Sequence, residues 1–118
     1  MEIEDSENTK VIYVVNAYEL KIVLANKKVT TGAKLVLLNL SSRLGGKDYC
    51  FPSQETIGKD LGLSARQVRT HIKTLVDKRI IFVKKRALNQ QKEKHMYSNE
   101  YNLTNILKKK TINDKSKT

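Results

Sequence analysis

Hydrophobic positions recur along the chain at helical and strand spacings, with polar turns between the runs. A helix begins at Thr30 or Thr31 and ends before a Gly-Gly pair. Leu35 and Leu38 lie off its main apolar face, so either the N-terminal segment or another subunit is expected to cover a second apolar side. The main face consists of Val29, Ala33, Val36, Leu37, Leu40 and Leu44.

Two more helices follow, separated by a tight turn. Ser53 caps the first, whose apolar residues are Ile57 and Leu61, and Gly58 between them allows a neighbour to approach closely. The second begins with Ser64-Ala65-Arg66-Gln67, a capping box in which each end residue satisfies a backbone donor of the other. One side of this helix is an apolar stripe of Val68, Ile72, Leu75 and Val76.

Strand-like segments complete the pattern. Val11–Val15 is β-branched and favours a strand, and the apolar stretch Ala17–Ala25 favours a helix. Ile80–Arg86 and Tyr97–Leu103 predict two strands joined by the polar, basic, glycine-free loop Ala87–Met96. The sequence therefore predicts an α+β winged helix-turn-helix: a three-helix core, a β-hairpin wing, and an extra N-terminal strand and helix.

The predicted domain occupies residues 11–107. Residues 1–10 are predicted to be an acidic flexible tail, and residues 108–118 a basic disordered tail with almost nothing to bury. No apolar run approaches the roughly 20 residues that a membrane span needs, so we expect a cytoplasmic protein that does not act at a membrane.

Positive charge is concentrated on the predicted helix-turn-helix and wing. The chain has 23 lysines and arginines against 12 acids, a net charge of +11. Residues 1–29 sum to −1, whereas residues 64–95 sum to +8, because ten basic residues there stand against Asp77 and Glu93. Such a local excess indicates an anionic partner, and nucleic acid is the usual one.

The helix that begins at Ser64 has the composition of a major-groove reader. At about 100° per residue, Arg66, Thr70 and Lys73 point away from its apolar stripe. Arginine and lysine can donate to guanine, and glutamine can pair with adenine. The predicted DNA-binding residues of this helix are Ser64, Ala65, Arg66, Gln67, Arg69, Thr70 and Lys73, with Lys73 at the phosphate edge. An ordinary solvated helix face is the alternative.

Two further groups of residues are candidates for DNA contact. At the start of the preceding helix, Ser53 and Gln54 could hold a phosphate, although a purely structural cap is an equal alternative. The basic loop could follow the DNA backbone or enter a minor groove. Its candidate residues are Lys84, Lys85, Arg86, Asn89, Gln90, Gln91, Lys92 and Lys94.

Enzymatic chemistry is not predicted. His71 and His95 have no metal-ligand partner at a useful spacing, and no paired carboxylates or phosphate-cradling glycine loop occur. Cys50, the lone cysteine, is interpreted as a core thiol, and His71 as a half-buried packing residue. We therefore expect no catalytic residue, metal site or cofactor.

The segment F-P-S-Q-E-T-I-x-x-x-L-G-L-S-x-R-x-V-x-x-x-I-x-x-L, followed by I-I-F-V-K-K-R, resembles the winged helix-turn-helix domains of plasmid and phage replication initiators of low-GC Gram-positive bacteria. The similarity includes T-T-G-A-K-L-V-L-L-N-L and spans roughly Val11–Leu103. The resemblance implies duplex DNA binding through Ala65–Lys73 and the wing Ala87–His95. The family usually has a glycine where this chain has Arg79, so either the helix exit differs or Arg79 binds phosphate.

The process that such binding would serve stays open, because one fold serves many functions. Initiators normally carry a second domain, whereas this sequence ends within about fifteen residues of the wing. If the 118 residues are the whole protein, a stand-alone transcriptional repressor or a relaxosome-type accessory factor of conjugative transfer is an equal alternative; if they are part of a longer protein, an initiator is the leading interpretation. A winged-helix protein-interaction module within a replication or transfer complex and an RNA-binding regulator are further alternatives. A homodimer is expected, since one recognition helix covers few base pairs; its candidate surface is the N-terminal segment with Leu35 and Leu38.

Overall fold

The computed structural model describes residues 9–85 and 99–113. In chain order these residues form β1 (Thr9–Val15), α1 (Ala17–Ala25), α2 (Thr31–Ser41), β2 (Tyr49–Cys50), α3 (Gln54–Leu61), α4 (Ala65–Asp77), β3 (Phe82–Lys84), β4 (Glu100–Asn102), a 3-10 helix (Thr104–Ile106) and β5 (Leu107–Asn113). The fold is an α+β winged helix-turn-helix, as the sequence predicted. Helices α2, α3 and α4 form the core, and β3 and β4 are the paired strands of the wing.

Helix α4 packs against both α2 and α3 through the apolar stripe seen in the sequence. Val68, Ile72 and Leu75 are buried, as is Ile57 of α3. Gly58 lets the turn after α3 fold back, because an added Cβ would lie 2.3 Å from the carbonyl oxygen of Leu63. The close approach predicted at this glycine is therefore confirmed, and it fixes the angle between α3 and α4.

Helix α4 ends in a backbone conformation that normally favours glycine. Arg79 has φ 59°, in the left-handed region. Its N–H donates to the Val76 carbonyl at 2.9 Å, and the Ile80 N–H donates to the Leu75 carbonyl at 2.9 Å. These two bonds are the Schellman pattern, so the helix exit is one that a glycine commonly serves, here adopted by an arginine.

A small three-stranded sheet closes the core, in the order β2-β4-β3. Tyr101 is at its centre, paired with Cys50 on one side and Val83 on the other, and is only 1% exposed. The predicted strands Ile80–Arg86 and Tyr97–Leu103 are shorter in the structure than expected. The predicted loop Ala87–Met96 lies outside the described residues.

The two ends of the described chain pair with each other, which the sequence analysis did not anticipate. Strand β1 runs antiparallel to β5 over its whole length, from Thr9 opposite Asn113 to Val15 opposite Leu107. The prediction of a disordered tail from Lys108 is therefore wrong as far as Asn113. The predicted flexible tail 1–10 is wrong for its last two residues, which belong to β1; residues 1–8 and 114–118 lie outside the described ranges.

Helix α1 packs on the 3-10 helix, and its Leu20 and Val23 pack, partly buried, against the hydrophobic core. Asn16 caps this helix, and its side-chain oxygen accepts from the Tyr18 N–H at 3.1 Å. Leu35 and Leu38 of α2 stay 43% and 38% exposed, so the N-terminal segment does not cover the second apolar side of α2.

Candidate nucleic-acid interface

The start of α4 is held rigidly by its capping box. The Gln67 N–H donates to the Ser64 hydroxyl at 3.1 Å, and the Ser64 N–H donates to the Gln67 side-chain oxygen at 2.9 Å. This reciprocal cap confirms the predicted helix start. It also uses one of the two lone pairs of the Gln67 amide oxygen, so the other lone pair and the NH₂ group stay available to a ligand.

The outward face of α4 is exposed along its length. Arg66, Thr70 and Lys73 are all exposed, on the side opposite the buried Val68 and Leu75. The Thr70 hydroxyl donates to the Arg66 carbonyl at 3.2 Å, and Lys73 forms an ion pair with Asp77 at 3.2 Å. Arg66 has no such internal partner among the described residues, so its guanidinium can donate outward.

Arg69 is connected to the helix before it. Its Nη1 donates to the side-chain oxygen of Gln54 at 3.0 Å. Gln54 is the first residue of α3, so this bond joins candidate residues of both helices of the helix-turn-helix. Arginine has five donors in a planar fork, and one bond to Gln54 leaves donors for a base or a phosphate.

Gln54 also connects this pair to the wing. Burial raises the pKa of Tyr101, and hydrogen bonds with Asn99 and Gln54 partly oppose that rise. The chain of contacts therefore runs from β4 through Gln54 to Arg69. The ring of Tyr101 lies in the core. Its polar link to Gln54 could not be predicted, because nothing local in the sequence relates Tyr101 to Gln54.

The side-chain hydroxyl of Ser53 caps α3. Its hydroxyl accepts from the Thr56 N–H at 3.0 Å and donates to the Thr56 hydroxyl at 2.8 Å. With both roles of the hydroxyl used inside the protein, the structural reading of Ser53 has direct support, whereas its contact with phosphate stays a prediction.

Of the predicted wing residues, the structure describes two. Lys84 and Lys85 are exposed at the end of β3. Arg86, Asn89, Gln90, Gln91, Lys92 and Lys94 lie outside the described residues. From Ala65 to Lys85 the chain carries seven basic residues and one acid, Asp77, so the described part of the face is strongly positive.

Cys50 and His71 both pack within the described part of the domain, whereas His95 lies outside the described residues. Burial raises the pKa of the Cys50 thiol to about 11, with Arg43 opposing the shift, so the thiol is protonated near neutral pH. His71 is half-buried against Gly32, where an added Cβ would lie 2.2 Å from its Nε2, as its predicted packing role requires. Among the residues described, no cluster of histidine, cysteine and acidic side chains could hold a metal ion.

Comparison with known proteins agrees with this arrangement. Residues 28–81 match the family model of a helix-turn-helix domain, a range that includes α2, α3 and α4. Neither the curated proteins nor the solved structures gave a significant match. Within the described ranges, none of the helices has the length and apolar character required to cross a bilayer. Over residues 28–81 the chain is therefore similar to the helix-turn-helix domains, and this similarity, with its winged helix-turn-helix fold, suggests that it binds DNA.

Proposed function

We propose that the protein recognises specific sites on duplex DNA by inserting the outward face of α4 into the major groove. One observation carries this proposal: Arg66, Thr70 and Lys73 are exposed on a helix whose opposite face is fixed in the core. A rigid helix with exposed donors suits base recognition, because discrimination between bases requires donors held at defined positions.

Arg66 is the residue on which we test the proposal. Arg66→Ala is expected to weaken the free energy of binding to the specific site by about 1–3 kcal/mol and binding to random duplex by less, so that sequence specificity falls. Arg66→Lys keeps the charge but loses the planar fork, and should also lose specificity. The exposed Lys84→Ala serves as the control, because loss of a phosphate contact should weaken binding to all sequences alike.

The measurement begins with selection of bound sites from a random DNA pool, followed by titration of the selected site and a scrambled duplex. Equal losses on both duplexes from Arg66→Ala would contradict base reading by α4. A wild-type protein that binds no duplex at about 150 mM salt would instead favour a protein-interaction module.

We propose replication initiation, or its control, on a plasmid or other mobile element as the process. The support is the resemblance of the segment from Phe51 to Leu75 to replication-initiator domains. Transcriptional repression and an accessory role in conjugative transfer are the alternatives. Selected sites that lie within a replication origin would support the first, and sites that lie only in promoters or transfer origins would favour the others.

A homodimer is part of this proposal, since a single α4 reads few base pairs. Leu35 and Leu38 are exposed on α2, and Tyr18 and Ile22 are exposed on α1. Leu35→Gln with Leu38→Gln should convert dimer to monomer in sedimentation equilibrium and abolish preference for paired half-sites. The matched change Tyr18→Gln with Ile22→Gln tests the N-terminal surface; if neither pair lowers the mass, the dimer surface is elsewhere.

A further inference from the structure

The ribbon formed by β1 and β5 carries a row of lysines on one face. Directly opposed residues of an antiparallel pair project to the same face, as do residues two apart on one strand. Neighbouring lysines in the row are therefore about 6.8 Å apart along the ribbon. The cross-strand pairs on this face are Lys10 with Ile112, Ile12 with Lys110, and Val14 with Lys108.

The ribbon is attached to the body of the protein near Tyr13, where Ile12 on the row's own face lies 3.7 Å from the Cβ position of Gly46. The opposite face is attached only in part, because Val11 and Val15 on it are 58% and 37% exposed. It carries Tyr13 and Leu107, which pack with the hydrophobic core, and Lys109 opposite Tyr13. The Tyr13 N–H also donates to the Gly46 carbonyl at 2.8 Å. These contacts fix the ribbon against the body, so the lysine row has a defined support although each side chain is flexible.

Within the described strands of the ribbon, no acidic residue balances the charge of this face. The two strands, Thr9–Val15 and Leu107–Asn113, contain four lysines and no acidic residue. All four lysines are exposed, and within the described residues none of them takes part in an ion pair or side-chain hydrogen bond. Like charges held this closely repel one another, and an anionic polymer that lies along them relieves that repulsion.

We infer that Lys10, Lys108 and Lys110 form a second DNA-binding surface, which holds the phosphate backbone of duplex DNA independently of sequence. The inference rests on the proposed function for its choice of polyanion. The lysine spacing is about twice the 3.4 Å rise between successive phosphates of one strand, so neighbouring lysines can reach different phosphates. This surface supplies affinity and salt dependence, whereas α4 supplies site choice.

The experiment compares two triple variants that remove the same charge. The first variant removes the three lysines of the row by Lys10→Gln, Lys108→Gln and Lys110→Gln. The matched variant removes three lysines of α1 and the turn after it by Lys21→Gln, Lys27→Gln and Lys28→Gln. For both, we measure the slope of log K against log salt on the selected site and on a scrambled duplex. Each lost phosphate contact lowers the slope by about 0.9, so the row variant should lose about 2–3 and the matched variant less than about 1.

Three further variants separate position from charge. Changing the three row lysines to arginine should keep the slope, and Lys109→Gln, on the opposite face of the ribbon, should change it less than Lys110→Gln. Equal slopes in the row variant and the wild-type protein, or equal losses in the two triple variants, would overturn the inference. Failure of the proposed function would look different, because the wild-type protein itself would then bind no duplex.

Discussion

Helix α4 and the β1–β5 ribbon both present basic side chains to solvent, but they are supported in different ways. The cations of α4 stand on a helix whose other face is buried, and Arg69 is tied to Gln54. The lysines of the ribbon stand on a two-stranded sheet and have no described partner. A site that distinguishes bases needs donors in fixed positions, whereas a site for phosphates needs only charge. We therefore expect α4 to determine which DNA sites are bound and the ribbon to contribute affinity for DNA of any sequence.

The largest expected effect comes from the turn that fixes α4. Gly58→Ala would place a Cβ 2.3 Å from a backbone oxygen, which cannot rotate away as a side chain could. We expect a loss of about 1–3 kcal/mol in the free energy of unfolding, in spite of alanine's better helix propensity. Denaturant unfolding measures this loss.

Two control variants show whether the stability loss from Gly58→Ala reflects tighter packing in the helices than in the ribbon. Lys59→Ala, an exposed change in the same helix, should leave stability almost unchanged. Val11→Ala in the ribbon, where the side chain is 58% exposed, should cost about 0.5 kcal/mol or less. If Val11→Ala were as costly as Gly58→Ala, the ribbon would be as firmly packed as the helices, and the proposed contrast would fail.

The same contrast explains which parts of the fold could be predicted from the sequence. The capping box at Ser64 and the apolar stripe of α4 are local signals, spaced by three or four residues, and both are confirmed. Strand β5 pairs Thr111 with Val11, a partner 100 residues earlier in the chain. Its sequence, L-K-K-K-T-I-N, has no apolar alternation, so composition alone indicated a tail. Pairing between chain ends is fixed by tertiary contacts that no short window contains.

Some features of the candidate site could also be predicted from local sequence signals, whereas others depend on tertiary contacts. The exposed side of α4 followed from helical geometry, because Arg66 and Thr70 are one turn apart. The link from Tyr101 through Gln54 to Arg69 could not be found, since it depends on how the sheet meets α3. The exit of α4 was doubtful in the sequence, because an arginine stands where related domains have glycine. The structure shows that this arginine adopts the left-handed backbone.

Tyr101→Phe tests whether the wing helps to hold the recognition helix. The change removes one hydroxyl and keeps the ring, so the half-buried side chain of Gln54 loses its hydrogen bond with Tyr101, and we expect a loss of about 1 kcal/mol or less in the free energy of unfolding. We expect affinity for the selected site to fall, because Arg69 loses its support, and affinity for random duplex to stay the same. Competition binding with the two duplexes measures that difference.

Tyr13→Phe is the matched change in the ribbon. Its hydroxyl has no hydrogen-bond partner among the described residues, so stability and both affinities should be unchanged. This variant and Tyr101→Phe together sharpen the comparison, because the same chemical deletion is made in each region. Equal losses on specific and random DNA from Tyr101→Phe would show that the link to Arg69 does not bear on site choice.

The smallest effect is expected at the end of α4, and it should be a gain. A left-handed backbone costs a non-glycine residue about 1–2 kcal/mol, and glycine recovers most of this at the expense of its greater freedom in the unfolded chain. Arg79→Gly should therefore raise the free energy of unfolding by about 0.5–1 kcal/mol. Arg79→Ala removes the same charge and keeps the strain, so it should give no gain.

These two variants also decide what the exposed guanidinium of Arg79 contributes to binding. If it holds a phosphate, both variants lower the salt slope by about 0.9, although only the glycine variant is stabilised. If it does not, both variants keep the wild-type slope, and Arg79 lowers the stability of the protein without strengthening DNA binding. A gain in stability from Arg79→Ala equal to that from Arg79→Gly would contradict the backbone explanation, because alanine has no easier access to a φ of 59° than arginine has.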